Sequence, residues 1–276
     1  MHISNSFAAA PYRVALAGLG AIGQAIARRL DEGIPGCSLA AVAARDERKA
    51  KAFVDQLAHP PALAPLPALA QHADIVVECA PAALLAQIAE PVLSAGKQLV
   101  VLSVGALLEH PQLEKLAARY GGRILVPTGA LIGLDAVAAA AQGTIYSVRM
   151  VTRKPIAGLL GAPFLGANNI DIKDLKAPLK LFEGSAREAA KGFPANLNVA
   201  VALSLAGIGP DRTMLEIWAD PGVTRNTHRI EVDADSARFS MTIENIPSEN
   251  PRTGRITALS VIALLRKLSA PLRIGT

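Results

Sequence analysis

The feature that most constrains this chain is an apolar run that ends in three closely spaced glycines. Residues 13–17 read Arg-Val-Ala-Leu-Ala and are followed directly by Gly-Leu-Gly-Ala-Ile-Gly. Downstream, apolar residues recur at helical spacing and form one face: Ile22, Ile26, Ala27 and Leu30. A strand, a glycine-rich turn and a helix in this order predict a dinucleotide-binding unit, the alternative being an ordinary tight turn between strand and helix.

Each glycine of the turn has its own physical role. Gly18 permits the tight turn, Gly20 lets a pyrophosphate approach the backbone, and Gly23 lets the helix pack closely on the strand. The first helical residues contribute free N–H groups and the positive end of the helix dipole. We therefore predict cofactor contacts at Gly18, Gly20, Ala21, Ile22 and Gly23.

The composition is that of a globular protein with a sizeable, mainly aliphatic core. The chain has 276 residues, of which 51% are hydrophobic, 18% charged and 4% aromatic. Its net charge is +5, but Lys and Arg are spread along the chain, which favours an anionic small molecule over nucleic acid as partner. Two cysteines, Cys37 and Cys79, lack the spacing of metal ligands, so we expect free thiols in a reducing compartment and no metal.

The N-terminal region does not resemble a targeting signal. Residues 1–11 have neither the cationic start nor the sustained apolar core of a signal peptide, and no later stretch resembles a membrane span. We therefore expect a soluble, cytoplasmic protein with no membrane or nucleic-acid partner.

Strand and helix patterns alternate from residue 13 to residue 126, which predicts an α/β fold with a Rossmann-type, doubly wound parallel sheet. From residue 128 the pattern becomes that of an α+β domain with a mostly antiparallel sheet, including a hairpin of 227–232 with 237–244. We predict a dinucleotide-binding domain over 1–127 and a substrate and dimerisation domain over 128–250. A C-terminal helix within 251–276 is expected to return to the first domain.

In doubly wound sheets, ligands lie beyond the carboxyl ends of the strands. This rule predicts cofactor contacts at Cys79, Ala80 and Ser103, and near 127–130.

The second strand ends in two charged residues. Asp46 could accept the ribose hydroxyls of NAD, whereas Arg45 could pair with the 2′-phosphate of NADP. The alternative is a solvated loop with two ordinary charges, and the choice between NAD and NADP stays open.

Longer motifs cover nearly the whole chain, from residue 13 to about residue 270. Besides the glycine turn they comprise 77–80, 102–107, 127–135, 193–200, 219–228 and 249–260. With these motifs the sequence resembles the L-aspartate dehydrogenase family. In one departure from the usual family pattern, Cys79 stands where a small residue such as Ala is also common.

The resemblance implies a homodimeric enzyme that oxidises L-aspartate with NAD or NADP. The product is iminosuccinate, which hydrolyses to oxaloacetate and ammonia and can feed NAD biosynthesis. Carried over to this chain, the family's cofactor contacts fall on Ala130 and on an asparagine of the 193–200 motif, Asn196 first and Asn198 second. The family's catalytic histidine falls on His228.

The residues themselves also single out His228. Oxidising an amine requires a neutral nitrogen and hydrolysing an imine requires activated water, and a histidine with a pKa near neutrality suits either task. Of the five histidines, His228 opens a strand directly after a loop rich in Thr, Arg and Asn. The alternative is a structural loop histidine.

The two carboxylates of aspartate require hydrogen-bond donors in the pocket. The candidates lie in predicted loops, and each could instead be an ordinary surface or turn residue: Thr128, Arg153, Lys154 and Arg225. For the asparagines of the 193–200 motif, the alternative role is helix capping.

Three rival interpretations remain. A related two-domain reductase of dihydrodipicolinate or a semialdehyde would carry a basic, histidine-rich substrate motif, which this sequence lacks. A non-catalytic dinucleotide-binding sensor would not need His228 or Asn196. An aldehyde dehydrogenase with Cys79 as nucleophile would need a nearby base, and the sequence shows none beside it.

Overall fold

The computed structural model describes residues 10–194, 197–247 and 254–275 and divides them into two compact units. Unit 1 contains residues up to Val101, together with Gln112–Leu125 and Val261–Ile274. Unit 2 contains Leu102–Pro111 and Val126–Ser260. Within the described residues, no helix has both the length and the apolar character needed to cross a membrane.

Unit 1 is built on a six-stranded, wholly parallel sheet with the strand order β3-β2-β1-β4-β5-β6. Its strands are β1 (Tyr12–Ala17), β2 (Cys37–Ala43), β3 (Ala62–Leu63), β4 (Ile75–Glu78), β5 (Gln98–Val101) and β6 (Arg123–Leu125). Its helices are α1 (Ala21–Asp31), α2 (Glu47–Val54), α3 (Leu69–His72), α4 (Leu85–Ser94) and α5 (Gln112–Tyr120). This topology confirms the predicted Rossmann-type sheet.

The central strands of this sheet are buried, apart from the first two residues of β1, because helices cover parallel sheets on both faces. Residues 14–17 of β1 and 75–77 of β4 are fully buried. On α1, Ile26, Ala27 and Leu30 are buried, as the helical spacing of the sequence predicts.

Unit 2 contains a five-stranded sheet with the order β11-β10-β7-β9-β8. Its strands are β7 (Ile145–Lys154), β8 (Leu179–Ser185), β9 (Thr213–Ala219), β10 (Asn226–Ala234) and β11 (Arg238–Asn245). Strands β7 and β9 pair in parallel and the other three pairs are antiparallel, which confirms the mostly antiparallel prediction. The helices are α6 (Leu134–Ala140), α7 (Pro163–Ala167), α8 (Ala186–Gly192) and α9 (Asn198–Ala206).

Three elements of unit 2, α7, β8 and α8, are absent from the sequence-based prediction. Helix α8 begins at a capping box, in which Ser185 Oγ accepts from the Glu188 N–H and the Glu188 carboxylate accepts from the Ser185 N–H. The Ser-x-x-Glu spacing that encodes this cap is visible in the sequence.

The apolar pattern of residues 130–141 predicts a helix that begins at Ala130, whereas helix α6 of the structure begins at Leu134. The preceding residues form a loop, with a turn in which the Leu131 N–H donates to the Thr128 carbonyl.

The boundary between the units differs in detail from the predicted one at residue 127. The 3-10 helix Val104–Glu109 belongs to unit 2, because Val104 packs against Val201 and Ala202 of α9.

Helix α10 (Ile256–Ser269) contributes its residues from Val261 onward to unit 1. There Ser269 Oγ donates to the Pro35 carbonyl at 2.6 Å, and Cys37 Sγ lies 3.7 Å from the Leu265 carbonyl oxygen.

The sheet of unit 2 has one apolar and one charged face. Side chains that alternate along β7, β9 and β10 form the apolar inner face with α6, α8 and α9: Val148, Met150, Leu215, Ile217, Ile230 and Val232. The core also holds a cluster of three phenylalanines, Phe164, Phe182 and Phe193.

Candidate functional site

The glycine turn of unit 1 has the geometry of a phosphate-binding turn. Gly18 has a φ of 112°, and a Cβ there would lie 2.6 Å from the Cys79 carbonyl oxygen. A Cβ on Gly23 would lie 2.1 Å from the Gly18 carbonyl oxygen, so helix and strand touch through this glycine. Gly20 is the N-cap residue of α1, has no side-chain capping bond, and would place a Cβ in open space. The open helix N-terminus beside Gly20, Ala21 and Ile22 therefore fits a pyrophosphate.

The residues after β4 pack directly against this turn. The Cys79 N–H donates to the Ala17 carbonyl at 2.9 Å, and the Ala80 N–H donates to Glu78 Oε1 at 3.0 Å. Burial, together with the charge of Glu78, raises the pKa of the Cys79 thiol well above its usual value. A thiol held protonated is a poor nucleophile, which argues against the aldehyde dehydrogenase interpretation.

The two charged residues after β2 are exposed. Asp46 is the N-cap residue of α2, where its Oδ1 accepts from the Lys49 N–H at 3.0 Å. Arg45 lies beside it in the same exposed turn. Their selection of NAD or NADP stays a prediction.

In unit 2, the segment after β5 is joined to the start of α9. Ser103 is buried and precedes the 3-10 helix, whose Gly105 N–H donates to Asn198 Oδ1 at 3.0 Å. Asn198 therefore uses its side chain to bind another segment, whereas the N-cap position of α9 belongs to Leu197. The structure thus brings together two predicted cofactor regions that are far apart in sequence. Asn196, the first-choice asparagine, lies outside the described residues.

The loop that carries Thr128 and Ala130 is held by two side chains that sequence reasoning missed. Asn245 Nδ2 donates to the Ala130 carbonyl at 3.0 Å, and the Gly129 N–H donates to Ser260 Oγ at 3.1 Å. Thr128 itself is exposed.

The alternation of residues along β11 contains a signal by which Asn245 could have been identified from the sequence. The inward positions of this strand are Phe239, Met241, Ile243 and then Asn245, which is 3% exposed. A buried amide at the end of an apolar alternation indicates a specific polar task.

His228 lies at the end of the inner sheet face, in register with Thr152 of β7. Its Nδ1 is 3.1 Å from Thr152 Oγ1. Lys154 follows on the same face of β7, two residues beyond Thr152. All three side chains are buried, His228 at 2%, Thr152 at 3% and Lys154 at 5% exposure. We call these three residues the His228 cluster.

The cluster continues an otherwise apolar face. Along β7 the inward positions are Val148, Met150, Thr152 and Lys154, so the face changes from apolar to polar at one end. Buried polar side chains are costly unless they have partners, and such a change marks a site.

Burial controls the charges of the cluster. It lowers the pKa of His228 to about 3, with a further lowering by the positive charge of Lys154. Burial also lowers the pKa of Lys154 to about 8. The pKa of His228 therefore lies below the neutral range that best suits acid–base catalysis, because the ring is desolvated and faces a cation.

The other basic candidates lie elsewhere. Arg153 points to the opposite face of β7, where it donates to Asp220 at 3.0 Å and stacks over Trp218. Arg225 is exposed, 3.7 Å from Glu244. Among these basic candidates, the structure groups Lys154 with His228.

Within the described part of the chain, no group of three or more His, Cys, Asp or Glu residues is arranged to hold a metal ion.

Two family models match the chain. Residues 135–268 match the C-terminal region of aspartate dehydrogenase, and residues 18–127 match the NAD-binding domain of homoserine dehydrogenase. The glycine turn lies in the second match and the His228 cluster in the first.

Solved structures share the fold. A crystal structure of aspartate dehydrogenase from Thermotoga maritima is 23% identical with a TM-score of 0.71, covering 96% of this chain and 99% of that one. Scyllo-inositol dehydrogenase from Lactobacillus casei is 17% identical with a TM-score of 0.54, covering 96% and 90%.

Relatives found by sequence have a higher identity to this chain than these two solved structures have. An L-aspartate dehydrogenase of Bradyrhizobium diazoefficiens is 66% identical over 274 residues, which cover 99% of this chain and 98% of the relative. L-aspartate dehydrogenase 3 of Bordetella bronchiseptica is 65% identical over 264 residues, covering 95% and 97%. This chain belongs to the L-aspartate dehydrogenase family, with an NAD-binding domain in its N-terminal half.

Proposed function

We propose that this chain catalyses the NAD(P)-dependent oxidative deamination of L-aspartate. The product is iminosuccinate, which hydrolyses to oxaloacetate and ammonia, and the reverse reaction is a reductive amination. The observation that carries the proposal is the buried His228 cluster at the polar end of the inner sheet face, in a chain that is 66% identical to an L-aspartate dehydrogenase.

The fold supports the cofactor contacts that we propose. The N–H groups at the start of α1 would bind the pyrophosphate at Gly18, Gly20 and Gly23. The other proposed contacts are Ala21, Ile22, Arg45, Asp46, Cys79, Ala80, Ser103, Ala130 and Asn198. When bound, the nicotinamide supplies the acceptor for the substrate hydride.

His228 is the proposed catalytic residue. Because its pKa is lowered, the ring is uncharged at neutral pH and can donate a hydrogen bond to the substrate. Lys154 would supply a positive charge for one substrate carboxylate, since a charge-assisted hydrogen bond in a buried site is strong. Thr128 and Arg225 are further candidates for carboxylate binding.

We also propose a homodimer that forms through the charged face of the unit 2 sheet. Cations and anions are interspersed on this face: Arg149, Arg212, Arg229 and Arg238 with Glu183, Glu216, Glu231 and Asp233. Such a surface is self-complementary, as a two-fold interface requires. Light scattering that gives a monomer mass at micromolar concentration would contradict the dimer.

A cytoplasmic location and a supply of iminosuccinate to NAD biosynthesis complete the proposal. Two free thiols, Cys37 and Cys79, agree with a reducing compartment. Cell fractionation tests the location. Measurement of NAD levels after deletion of the gene tests the metabolic role.

An amino-acid screen with both cofactors tests the activity. We expect reduction of NAD or NADP with L-aspartate, and none with L-glutamate or L-alanine. The variant His228→Asn should lower turnover by roughly 100-fold or more, the scale of a lost acid–base group, while it retains cofactor binding. Tight cofactor binding without turnover between pH 7 and pH 10 would instead favour a dinucleotide-binding sensor.

A further inference from the structure

Thr152 is the first polar residue on the inner face of β7, where the apolar part of that face ends. It follows Val148 and Met150 along the inner face of β7 and is 3% exposed. Valine has nearly the same shape, so the hydroxyl group is what distinguishes threonine here. Burying a hydroxyl is unfavourable without a hydrogen bond, and Thr152 Oγ1 forms its bond with His228 Nδ1 at 3.1 Å.

The direction of this hydrogen bond follows from counting donors and acceptors. Across 10–194, 197–247 and 254–275, Nδ1 of His228 is the one hydrogen-bond partner of the Thr152 hydroxyl. A buried O–H group without an acceptor is costly, so the hydroxyl donates to Nδ1. A neutral imidazole that accepts at Nδ1 carries its proton on Nε2.

We propose that Thr152 is a positioning residue that holds His228 in the Nε2-protonated tautomer, so that the ring presents a neutral N–H donor to a substrate oxygen. This inference rests on the proposed function, because it assumes that the ring of His228 contacts the substrate. A donor is what a dicarboxylate needs, and a neutral donor beside the Lys154 cation avoids the burial of a second positive charge.

The tautomer can be measured without any activity assay. In protein labelled with ¹⁵N-histidine, long-range ¹H–¹⁵N spectra distinguish the two ring nitrogens, and the variant His228→Asn identifies the resonances of His228. We expect an unprotonated Nδ1 and a protonated Nε2 in the ligand-free protein at pH 7. A proton on Nδ1 would overturn the proposal.

Variants of Thr152 test its role in the reaction. Thr152→Val keeps the shape and removes the hydroxyl, so we expect a mixture of tautomers and a fall in kcat of roughly tenfold or more, with little change in KM for the cofactor. Thr152→Ser restores a hydroxyl and should recover the tautomer and most of the activity. Wild-type kcat and tautomer in Thr152→Val would overturn the proposal.

Thr213→Val is the matched control. Thr213 is also buried, and its hydroxyl donates to the Gly209 carbonyl at 2.9 Å. Thr213 is paired with Val148 of β7. Val148 is four residues from Thr152 along the strand, a distance of about 13 Å. This control should leave the tautomer and kcat unchanged, whereas an equal fall in kcat for both variants would show a merely structural effect and overturn the proposal.

The two proposals fail in different ways. If the wild-type protein does not oxidise L-aspartate but shows the Nε2-protonated tautomer, the proposed function fails and the role of Thr152 in fixing the tautomer stands. If L-aspartate is oxidised and Nδ1 carries the proton, the inference about Thr152 fails alone.

Discussion

The glycine turn and the His228 cluster use different parts of the chain for their chemistry. The turn consists of six consecutive residues, Gly18 to Gly23, and acts through backbone N–H groups and the absence of side chains. The cluster joins side chains of two strands that are 76 residues apart in sequence, at Thr152 and His228. A local backbone motif can therefore be found in a contiguous stretch, whereas the cluster becomes visible once the strand pairing is known.

The two regions also differ in the energy that maintains them. At Gly18 and Gly23 of the turn, contacts with backbone atoms leave no space for a Cβ, so any side chain at these two positions is excluded by steric repulsion. In the cluster, the determining energies are desolvation and charge, which change the pKa values of His228 and Lys154 by graded amounts. We expect substitutions in the turn to have the larger effects.

Two glycine variants should separate the structural from the binding role of the turn. Gly23→Ala places a Cβ 2.1 Å from the Gly18 carbonyl oxygen, so both stability and cofactor affinity should fall, stability by about 1–3 kcal/mol or more. Gly20→Ala meets no protein atom within 4 Å, so it should fold normally and lose affinity by roughly tenfold or more. Thermal unfolding and NADH fluorescence titration measure the two effects.

Gly166→Ala is the control for this pair, because a Cβ there also meets nothing within 4 Å. It should leave NADH affinity unchanged and should not lower stability, because Gly166 lies in helix α7, where alanine is favoured over glycine. Unchanged NADH affinity in Gly20→Ala would show that the pyrophosphate does not approach this glycine and would contradict the predicted role.

Much of the fold follows from the sequence because it depends on local patterns. The buried strands β1 and β4, helix α1 and the hairpin of β10 and β11 each have a period or a run that identifies them. Strand β8 was missed because its residues, Leu-Lys-Leu-Phe-Glu-Gly-Ser, follow a loop rich in Gly, Pro and Asn and alternate weakly.

The site was harder to predict from the sequence than the fold, because the hydrogen bonds that hold it join residues that are far apart in the chain. His228 was identified as a candidate, but its partner Thr152 depends on the register between β10 and β7. Asn245 was missed because its acceptor, the Ala130 carbonyl, lies 115 residues away. The low pKa of His228 could not be predicted from the sequence, because burial is a property of the packed sheet and cannot be seen in the residues around it.

Lys154→Met sharpens the contrast between the glycine turn and the His228 cluster, because this substitution should raise stability and lower activity. The lowered pKa of Lys154 means that burying its charge is unfavourable, so an apolar side chain of similar length should raise the thermal unfolding temperature. If Lys154 binds a substrate carboxylate, loss of a charge-assisted hydrogen bond of about 1.5–3 kcal/mol should lower kcat/KM for L-aspartate roughly 10- to 100-fold.

Lys173→Met removes an exposed lysine and serves as the matched control. It should leave kcat/KM unchanged. If Lys154→Met has wild-type kcat/KM, this lysine does not bind a substrate carboxylate.

The smallest expected effect is on the pH dependence of stability, and it tests the desolvation of His228 without substrate. The folded-state pKa of about 3 lies below the ordinary histidine value of 6.5, so between these values the unfolded state binds a proton that the folded state does not. This group therefore lowers stability as pH falls below 6.5, by at most about 1.4 kcal/mol per pH unit, and has no effect above that pH.

In urea unfolding between pH 4.5 and pH 7.5, His228→Asn should reduce the slope of the unfolding free energy against pH by that amount. His72→Gln, which removes an exposed imidazole on α3, should keep the wild-type slope. Because acidic groups such as Asp74 are common to all three proteins, their contribution cancels in the comparison. Equal slopes in His228→Asn and the wild type would mean that the His228 ring is hydrated in solution, and the contrast between a steric turn and a desolvated cluster would fail at its central residue.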